Sequence, residues 1–272
     1  MVWWLFSEDT YTRRSIMEPH PVLLDVDGPI ATITLARPEK RNALGLDLMR
    51  SVIETLQSVP SDTGVVVMAA QGKVFSAGHD MSEMIDRSDD YYADLFGTCI
   101  QMMKAIRELR QPVIAKVQGT ATAAGCQLVA SCDLAIATDT AWFATPGVQI
   151  GLFCHTPMVP VSRAVGHKRA MQMLLTGEPV DAATALEWGL INMVVPSDEL
   201  DDAVTEMAHK ILRYSKNTIA LGKHTYYAQA EIAEDAAYEV ATPVMAANAA
   251  NDDAQEGMGA FLEKREPRWT DQ

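Results

Sequence analysis

Apolar and polar positions follow two periods along most of the chain, one typical of strands and the other of helices. Apolar and β-branched runs at 22–26 and 30–35 flank Asp27-Gly28, a pair that favours a tight turn, and together they predict a β-hairpin. Apolar residues then recur at helical spacing over 46–58, which predicts an amphipathic helix.

The alternation of strand and helix patterns continues to residue 195. Further strands are predicted at 65–68, 112–117, 133–137 and 191–195, and further helices at 92–106, 123–131 and 181–188, the last capped by Asp181. Residues 72–80 are expected to form a loop. Strands that alternate with helices are typical of an α/β fold with largely parallel pairing.

The pattern divides the chain into three regions. Residues 1–18 are predicted to be a loose N-terminal extension, 19–196 an α/β core, and 197–272 a C-terminal helical region that Ser197 opens with a capping signal. The apolar start of the chain, residues 1–6, is far shorter than the about 20 apolar residues of a membrane span. No membrane-spanning segment or signal peptide is therefore expected there.

Charge narrows the classes of partner. Apolar residues make up 48% of the chain, enough for a sizeable core, and the net charge is −14 with a pI near 4.8. Such a surface does not favour nucleic acid or an anionic membrane as a partner. An anionic small molecule would need local basic residues to offset the overall field.

The cysteines give no sign of a metal site. The chain has four of them, with no CxxC pair. Reduced thiols in a cytoplasmic protein are the expectation.

Two glycine-containing motifs, Gly119-Thr-Ala-Thr-Ala-Ala-Gly-Cys-Gln-Leu128 and Thr145-Pro-Gly-Val-Gln-Ile-Gly151, carry the most specific signal. They resemble the active-site core of the crotonase superfamily, which includes enoyl-CoA hydratases and isomerases, and in particular its divergent enoyl-CoA hydratase domain-containing branch. The resemblance extends over residues 20–269. It implies a spiral of β-β-α units with a C-terminal helical oligomerisation region, assembled as a homotrimer or a dimer of trimers.

The resemblance also implies an oxyanion hole built from backbone groups. It places one N–H donor at His79, in the loop 74–80, and the second at Ala124, at the start of the helix 123–131. Chemistry next to a thioester builds an enolate with negative charge on the carbonyl oxygen. Two preorganised N–H groups, one at a positive helix N-terminus, stabilise that charge.

Both catalytic carboxylates of the resembled hydratases are replaced. Gln127 and Gly147 stand where the hydratases carry glutamates. An amide holds water but does not exchange protons at neutral pH, and glycine has no side chain, so two-glutamate hydration is not expected. Restoring glutamate at both positions is expected to create or raise hydration.

Other residues are candidates for the missing acid and base. The His79 imidazole either takes part in proton transfer, lines the pocket or points away from it. Glu83 and Asp86 are either replacement carboxylates or part of a solvated helix face. Cys154 and His155 suggest a nucleophile with its base, although residues adjacent in sequence rarely face each other. Cys126 is expected in the core, and Asp133 is expected to be a structural hydrogen-bonding residue.

The resemblance implies further substrate contacts. Lys40 and Arg41 are candidates for the CoA phosphates, and Lys264 for a CoA held by a neighbouring subunit. Ala77, Asp80, Met81 and Ser82 are expected to flank the pantetheine and adenine.

The function that follows from the resemblance is that of an enoyl-CoA hydratase-like protein of the lyase class. It would bind an acyl-CoA thioester and stabilise its enolate, with no cofactor beyond the coenzyme A of its substrate. Decarboxylation of a malonyl-type acyl-CoA is the alternative within this class, and thioester hydrolysis a weaker one. A non-catalytic acyl-CoA binder or assembly partner is the alternative from another class.

Overall fold

Six strands form the larger of two sheets in the computed structural model, which describes residues 20–270. In spatial order they are Val22–Asp27 (β1), Ile30–Leu35 (β2), Val65–Ala70 (β3), Val113–Val117 (β5), Leu134–Thr138 (β7) and Met193–Val195 (β10). The predicted hairpin is the antiparallel pair β1–β2, and every other neighbouring pair is parallel. The predicted extension 1–18 lies outside the described residues.

Four shorter strands form a second sheet. They are Val74–Ser76 (β4), Thr120–Thr122 (β6), Trp142–Ala144 (β8) and Val180–Asp181 (β9), with β4, β6 and β8 parallel. In chain order β4 follows β3, β6 follows β5 and β8 follows β7, so successive units place one strand in each sheet before the next helix. This arrangement confirms the predicted α/β spiral of β-β-α units.

The helices follow the strands in chain order. They are Leu46–Gln57 (α1), Asp89–Glu108 (α2), Ala124–Ser131 (α3), Met158–Val165 (α4), His167–Thr176 (α5), Ala182–Trp188 (α6), Leu200–Leu212 (α7), Lys216–Gln229 (α8), Glu234–Ala249 (α9) and Asp252–Glu263 (α10). Asp181 caps α6 as predicted, because its carboxylate accepts the Thr184 N–H at 2.7 Å. Between residues 20 and 270, none of these helices has the length and apolar content to span a bilayer.

Helices cover both faces of the larger sheet. On one face, residues such as Val66 and Met68 pack against α1, α2, α3 and the second sheet. On the other face, Val65 and Val67 pack against α7 through Leu200 and Val204. The segment predicted to be a separate helical region therefore begins with a helix that belongs to the packing of the sheet.

Several elements differ from the predictions. The strands of the second sheet are two or three residues long, too short for alternation to show, and β4 lies inside the predicted loop 72–80. The helices α4 and α5 were not predicted. The Ser197 signal opens a 3-10 turn, Ser197–Glu199, and α7 starts after it without a side-chain cap, so the predicted cap is wrong.

A buried ion pair joins α8 to the larger sheet. The Lys223 ammonium lies 2.7 Å from the Asp133 carboxylate and also donates to the Ile106 and Gln111 carbonyls. Asp133 accepts two further bonds, from the Val113 N–H at 2.7 Å and the Tyr227 hydroxyl at 2.8 Å. The predicted structural role of Asp133 is confirmed by these contacts.

Replacing one member of this pair is expected to destabilise the fold. Lys223→Met removes the counter-charge of the Asp133 carboxylate and the donor to the Ile106 and Gln111 carbonyls, so the free energy of unfolding should fall by about 3 kcal/mol. Urea denaturation measures the change. The matched control is Lys210→Met, which removes the exposed Lys210–Glu206 pair and should leave the stability within experimental error. Equal losses in the two variants would contradict the role given to the buried pair.

Candidate active site

The loop that ends at His79 is anchored by a buried asparagine. Asn42 has a positive φ of 50° and no solvent exposure. Its amide nitrogen donates to the carbonyls of Gln71 at 2.9 Å and Val74 at 2.8 Å, and its amide oxygen accepts the Arg37 N–H at 3.0 Å. Every polar group of this side chain is thereby satisfied, which fixes the loop relative to the segment 37–44.

Glycine at position 78 lets the loop approach α3. Gly78 has a φ of +86°, and a Cβ there would lie 2.8 Å from the Ala123 Cβ and 3.2 Å from the Ala124 backbone nitrogen. The Gly78 carbonyl accepts the Leu44 N–H at 2.7 Å, which holds the loop on its other side. This close approach brings the backbone at Gly78, the residue before His79, against the start of α3.

The two predicted N–H donors are both left without an internal partner. Within residues 20–270 no hydrogen bond uses the backbone N–H of His79 or of Ala124, whereas the Ala123 N–H donates to the Ala144 carbonyl at 2.9 Å. Ala123 precedes α3 with φ 49° and ψ −117°, a strained conformation for a residue with a side chain. This backbone conformation turns the chain into α3, so the Ala124 N–H lies at the positive N-terminal end of the helix.

A cavity of about 510 Å³ lies at this junction. Its lining includes Ala77, His79, Met81 and Ala124 together with residues between 146 and 157. Among residues 20–270, no aspartate, glutamate, lysine or arginine lines it, and the titratable lining residues are two histidines and one cysteine. The cavity is thus mainly apolar, with a few polar groups near the two N–H donors.

The His79 imidazole is held by the backbone. Its Nδ1 lies 3.0 Å from the Leu44 carbonyl, which can only accept, so Nδ1 carries the proton. Burial lowers the pKa of His79, and the bond to Leu44 offsets part of that effect. The ring stands edge-on to Phe96 at 5.3 Å, and Nε2 is buried without a partner among the described residues. The ring is therefore neutral near pH 7 and lines the cavity.

Gln127 lies next to the cavity but is turned into the core. Its side chain is buried, and its amide oxygen accepts a long contact of 3.9 Å from the Cys99 thiol on α2. It is not among the residues that line the cavity. The predicted position is therefore adjacent to the site, with a side chain that packs against α2.

Gly147 lines the cavity, and its lack of a side chain is required by the fold. A Cβ at this position would lie 1.9 Å from the Leu152 carbonyl oxygen and 2.9 Å from the Cys154 sulfur. The Leu152 N–H also donates to the Gly147 carbonyl at 2.9 Å. Restoring glutamate at 147 would force this loop apart, so the expectation that a Gln127→Glu, Gly147→Glu double variant gains hydration does not fit the structure.

The adjacent pair Cys154 and His155 both reach the cavity. Cys154 is 7% exposed and burial raises its thiol pKa, whereas His155 is exposed and its ring lies 5.2 Å from that of Phe153. No hydrogen bond joins the two side chains in the described part of the chain, so they do not form the nucleophile and base pair that their adjacency suggested. Cys126 is fully buried, as predicted.

The two candidate carboxylates lie outside the cavity. The Glu83 carboxylate packs over Gly45, where an added Cβ would lie 2.6 Å from it, at the N-terminus of α1. Asp86 is exposed, with a positive φ of 54°. Neither residue lines the cavity, so neither replaces a hydratase glutamate in this structure.

Most of the predicted substrate contacts cluster beside the cavity. Ala77 and Met81 line it. Next to them the Asp80 carboxylate accepts the Ser82 hydroxyl at 2.5 Å and the Ser82 N–H at 3.0 Å, and it pairs with the Lys40 ammonium at 3.5 Å. The bond from the Ser82 hydroxyl is the main reason that the pKa of Asp80 is lowered.

Two predicted contacts stand apart from this cluster. The Arg41 side chain is exposed, while its carbonyl accepts the Ala77 N–H at 3.0 Å. Lys264 ends α10 with a φ of 54° and does not line the cavity of its own chain.

Two site features were not predicted. One of them, the anchoring role of Asn42, had a signal in the sequence. Asparagine tolerates a positive φ, and here it stands between a basic and an apolar residue. The packing of Cys154 against Gly147 had no sequence signal, because it depends on how the loop 146–154 folds back. In the described residues no cluster of side chains has the make-up of a metal site.

Comparisons with known proteins show which family the chain belongs to. Residues 25–272 match the family model described as enoyl-CoA hydratase/isomerase. The mouse protein named enoyl-CoA hydratase domain-containing protein 3, mitochondrial, is 46% identical over 244 residues, which cover 89% of this chain and 81% of that protein. The human protein of the same name is 45% identical over 261 residues, or 94% of this chain and 86% of that protein.

Solved structures match over the same range. An enoyl-CoA hydratase from Mycobacterium smegmatis is 46% identical with a TM-score of 0.90, covering 93% of this chain and 99% of its own. The human enoyl-CoA hydratase domain-containing protein 3 is 45% identical with a TM-score of 0.89, covering 92% and 100%.

The relatives correct one expectation. The mouse, rat and human proteins are named mitochondrial. The expectation of a cytoplasmic protein is wrong by this comparison, because reduced cysteines and an acidic pI do not distinguish the cytoplasm from the mitochondrial matrix.

The family model covers nearly the whole chain, and the relatives' identities are well above the level at which a shared fold alone would be inferred. The chain belongs to the enoyl-CoA hydratase/isomerase family of the crotonase superfamily and resembles its enoyl-CoA hydratase domain-containing branch.

Proposed function

We propose that this protein binds an acyl-CoA thioester and stabilises its enolate between the backbone N–H groups of His79 and Ala124. The observation that carries the proposal is that His79 and Ala124 line one mainly apolar cavity, while no hydrogen bond within residues 20–270 uses either backbone N–H. A donor aimed at developing oxyanion charge contributes ~2.7–4 kcal/mol to transition-state stabilisation. Coenzyme A, which is part of the thioester substrate, is the only coenzyme that this chemistry needs.

The cavity also has a place for the charged end of the ligand. Lys40 lies beside the cavity, and its ammonium is half exposed while it pairs with Asp80. Arg41 is exposed on the same segment. In a chain of net charge −14, these two cations on one segment would reduce the repulsion that an anionic CoA meets, with the Lys40 ammonium exchanging its Asp80 partner for the ligand.

Decarboxylation of a malonyl-type thioester is the second candidate. No carboxylate lines the cavity, so the side chains around it include no strong base at the positions where hydratases use glutamate. Loss of carbon dioxide forms the enolate without a base, which leaves stabilisation and protonation as the only tasks of the protein. A non-catalytic acyl-CoA binder is the remaining alternative.

The deciding measurement combines binding with turnover. Isothermal titration of the purified protein with CoA and crotonyl-CoA should show binding of the thioester, and turnover of crotonyl-CoA and malonyl-CoA should favour the malonyl-type substrate. Binding without turnover of either thioester would leave the non-catalytic binder. Failure to bind any acyl-CoA would overturn the proposal.

A glycine variant tests the oxyanion hole. Gly78→Ala places a methyl group against Ala123 and Ala124 and should separate the two donors, so turnover of the active thioester should fall about 100-fold or more. The matched control is Gly166→Ala, since Gly166 also has a positive φ but no heavy atom lies within 4 Å of its added Cβ. Comparable kinetics in the two variants would argue against the donor pair.

The C-terminal helices are proposed to pack on other copies of the chain, as a homotrimer or a dimer of trimers. Apolar side chains on α9 and α10 remain open to solvent in the single chain, among them Met245, Phe261 and Leu262, with exposures of 67%, 81% and 79%. Lys264, next to them, would then lie near a neighbouring subunit. Exposed apolar patches of this kind are typical of subunit contacts.

The assembly is tested by light scattering after size-exclusion chromatography. The wild-type mass should be three or six times 29.7 kDa, and Phe261→Glu should shift it toward the single chain because a buried carboxylate has no partner there. Leu175→Glu, at an exposed apolar position on α5, is the control and should keep the assembly. A monomeric wild-type protein would refute the proposed assembly.

A further inference from the structure

The sulfur of Cys154 lies in the space that a side chain at position 147 would enter. A Cβ built on Gly147 would be 2.9 Å from that sulfur. The start of the path that a glutamate side chain would take from position 147 is therefore occupied by the Leu152 carbonyl oxygen and by the Cys154 thiol, about seven residues further along the same loop. The two features are coupled: the loop that excludes a glutamate is the one that brings in the cysteine.

Cys154 is also placed where it could contact a ligand bound in the cavity. It lines the cavity that contains His79 and Ala124, and the other three cysteines do not. The other titratable side chains of the lining are His79, whose Nδ1 proton is held by the Leu44 carbonyl, and the exposed His155. Cys154 is thus the buried lining residue with a proton free to transfer to a ligand.

The protonation state of the thiol suits an acid. Burial raises the pKa of Cys154, and a hydrogen bond with the Gly147 backbone offsets part of that effect. The group is therefore a thiol at neutral pH, and the structure gives it no hydrogen-bonded base. Both facts disfavour a nucleophilic thiolate and favour a proton donor.

We propose that Cys154 is the acid that protonates the α-carbon of the bound enolate, an inference that rests on the proposed acyl-CoA function. The S–H bond breaks and its proton forms a C–H bond to the α-carbon, using the electron pair of the enolate double bond. The thioester carbonyl re-forms, and the sulfur keeps the S–H electron pair as a thiolate. A solvent proton then restores the thiol. The exposed His155 lines the same cavity and lies on the route by which this proton would enter.

The reverse of this step gives a direct test with butyryl-CoA in D2O. The thiolate removes an α-proton and the deuterated thiol returns a deuteron, so mass spectrometry should show deuterium uptake that rises about tenfold per pH unit from pH 7 to 9. Cys154→Ala and Cys154→Ser should lower the uptake about 100-fold or more. Cys126→Ala, a change in a fully buried cysteine, is the matched control and should keep the rate.

The outcomes separate this inference from the proposed function. Isothermal titration should give the same butyryl-CoA affinity for all four proteins. Unchanged uptake in the Cys154 variants, or binding by the wild type with no uptake, would overturn the role of Cys154 and leave acyl-CoA binding intact. Absence of binding by the wild type would overturn both. A butyryl group found covalently on Cys154 would show a nucleophile in place of an acid.

Alkylation of the wild-type protein covers the case in which the variants do not fold. Prolonged treatment with iodoacetamide at pH 9, where more of the thiol is ionised than at neutral pH, should modify Cys154 and abolish deuterium uptake, and butyryl-CoA should protect that cysteine. Peptide mapping provides an internal control, because the fully buried Cys99 and Cys126 should remain unmodified. Uptake that survives complete alkylation of Cys154 would refute the role.

Discussion

The buried amide of Asn42 is the interaction on which the geometry of the site depends. It bonds to the backbone of Arg37, Gln71 and Val74, and the Asn42 carbonyl accepts the Ser76 hydroxyl at 2.9 Å. With these groups satisfied, the loop to His79 is fixed while the His79 N–H itself remains unpaired. Each of these hydrogen bonds that was broken without replacement in the buried interior would cost about 1–3 kcal/mol, so the loop has little freedom to turn the His79 N–H away.

The main sheet could be predicted from local patterns in the sequence, whereas the placement of the N–H donors at His79 and Ala124 rests on the family resemblance. Long apolar runs predict the strands of the larger sheet, and the small residues before Ala124 predict a helix start that a ligand can approach. The strands of the second sheet could not be predicted, since three residues such as Val74–Ser76 are too few for a period to show. They exist because neighbouring strands supply their hydrogen bonds.

The side-chain part of the site was less predictable, for a related reason. Alignment of motifs identifies Gly147 as a position where a glutamate is missing, but it says nothing of the volume around it. In the structure the Leu152 carbonyl and the Cys154 sulfur occupy that volume. The glycine at position 147 is thus tied to the way the loop 146–154 folds back. Changing Gly147 to glutamate alone would not change the path of that loop.

The distribution of charge supports the proposed role of the two N–H donors in a site without the glutamates. The chain is strongly acidic, yet within residues 20–270 no carboxylate lines the cavity, and the nearby Glu83 carboxylate lies at the positive N-terminus of α1 instead. A carboxylate beside an enolate would raise the energy of the new negative charge in a medium of low polarity. Without such a carboxylate, the proposed donors at His79 and Ala124 and the positive end of α3 would meet the new charge unopposed. Under the proposed function, a site built in this way would hold an enolate more readily than it would abstract a proton.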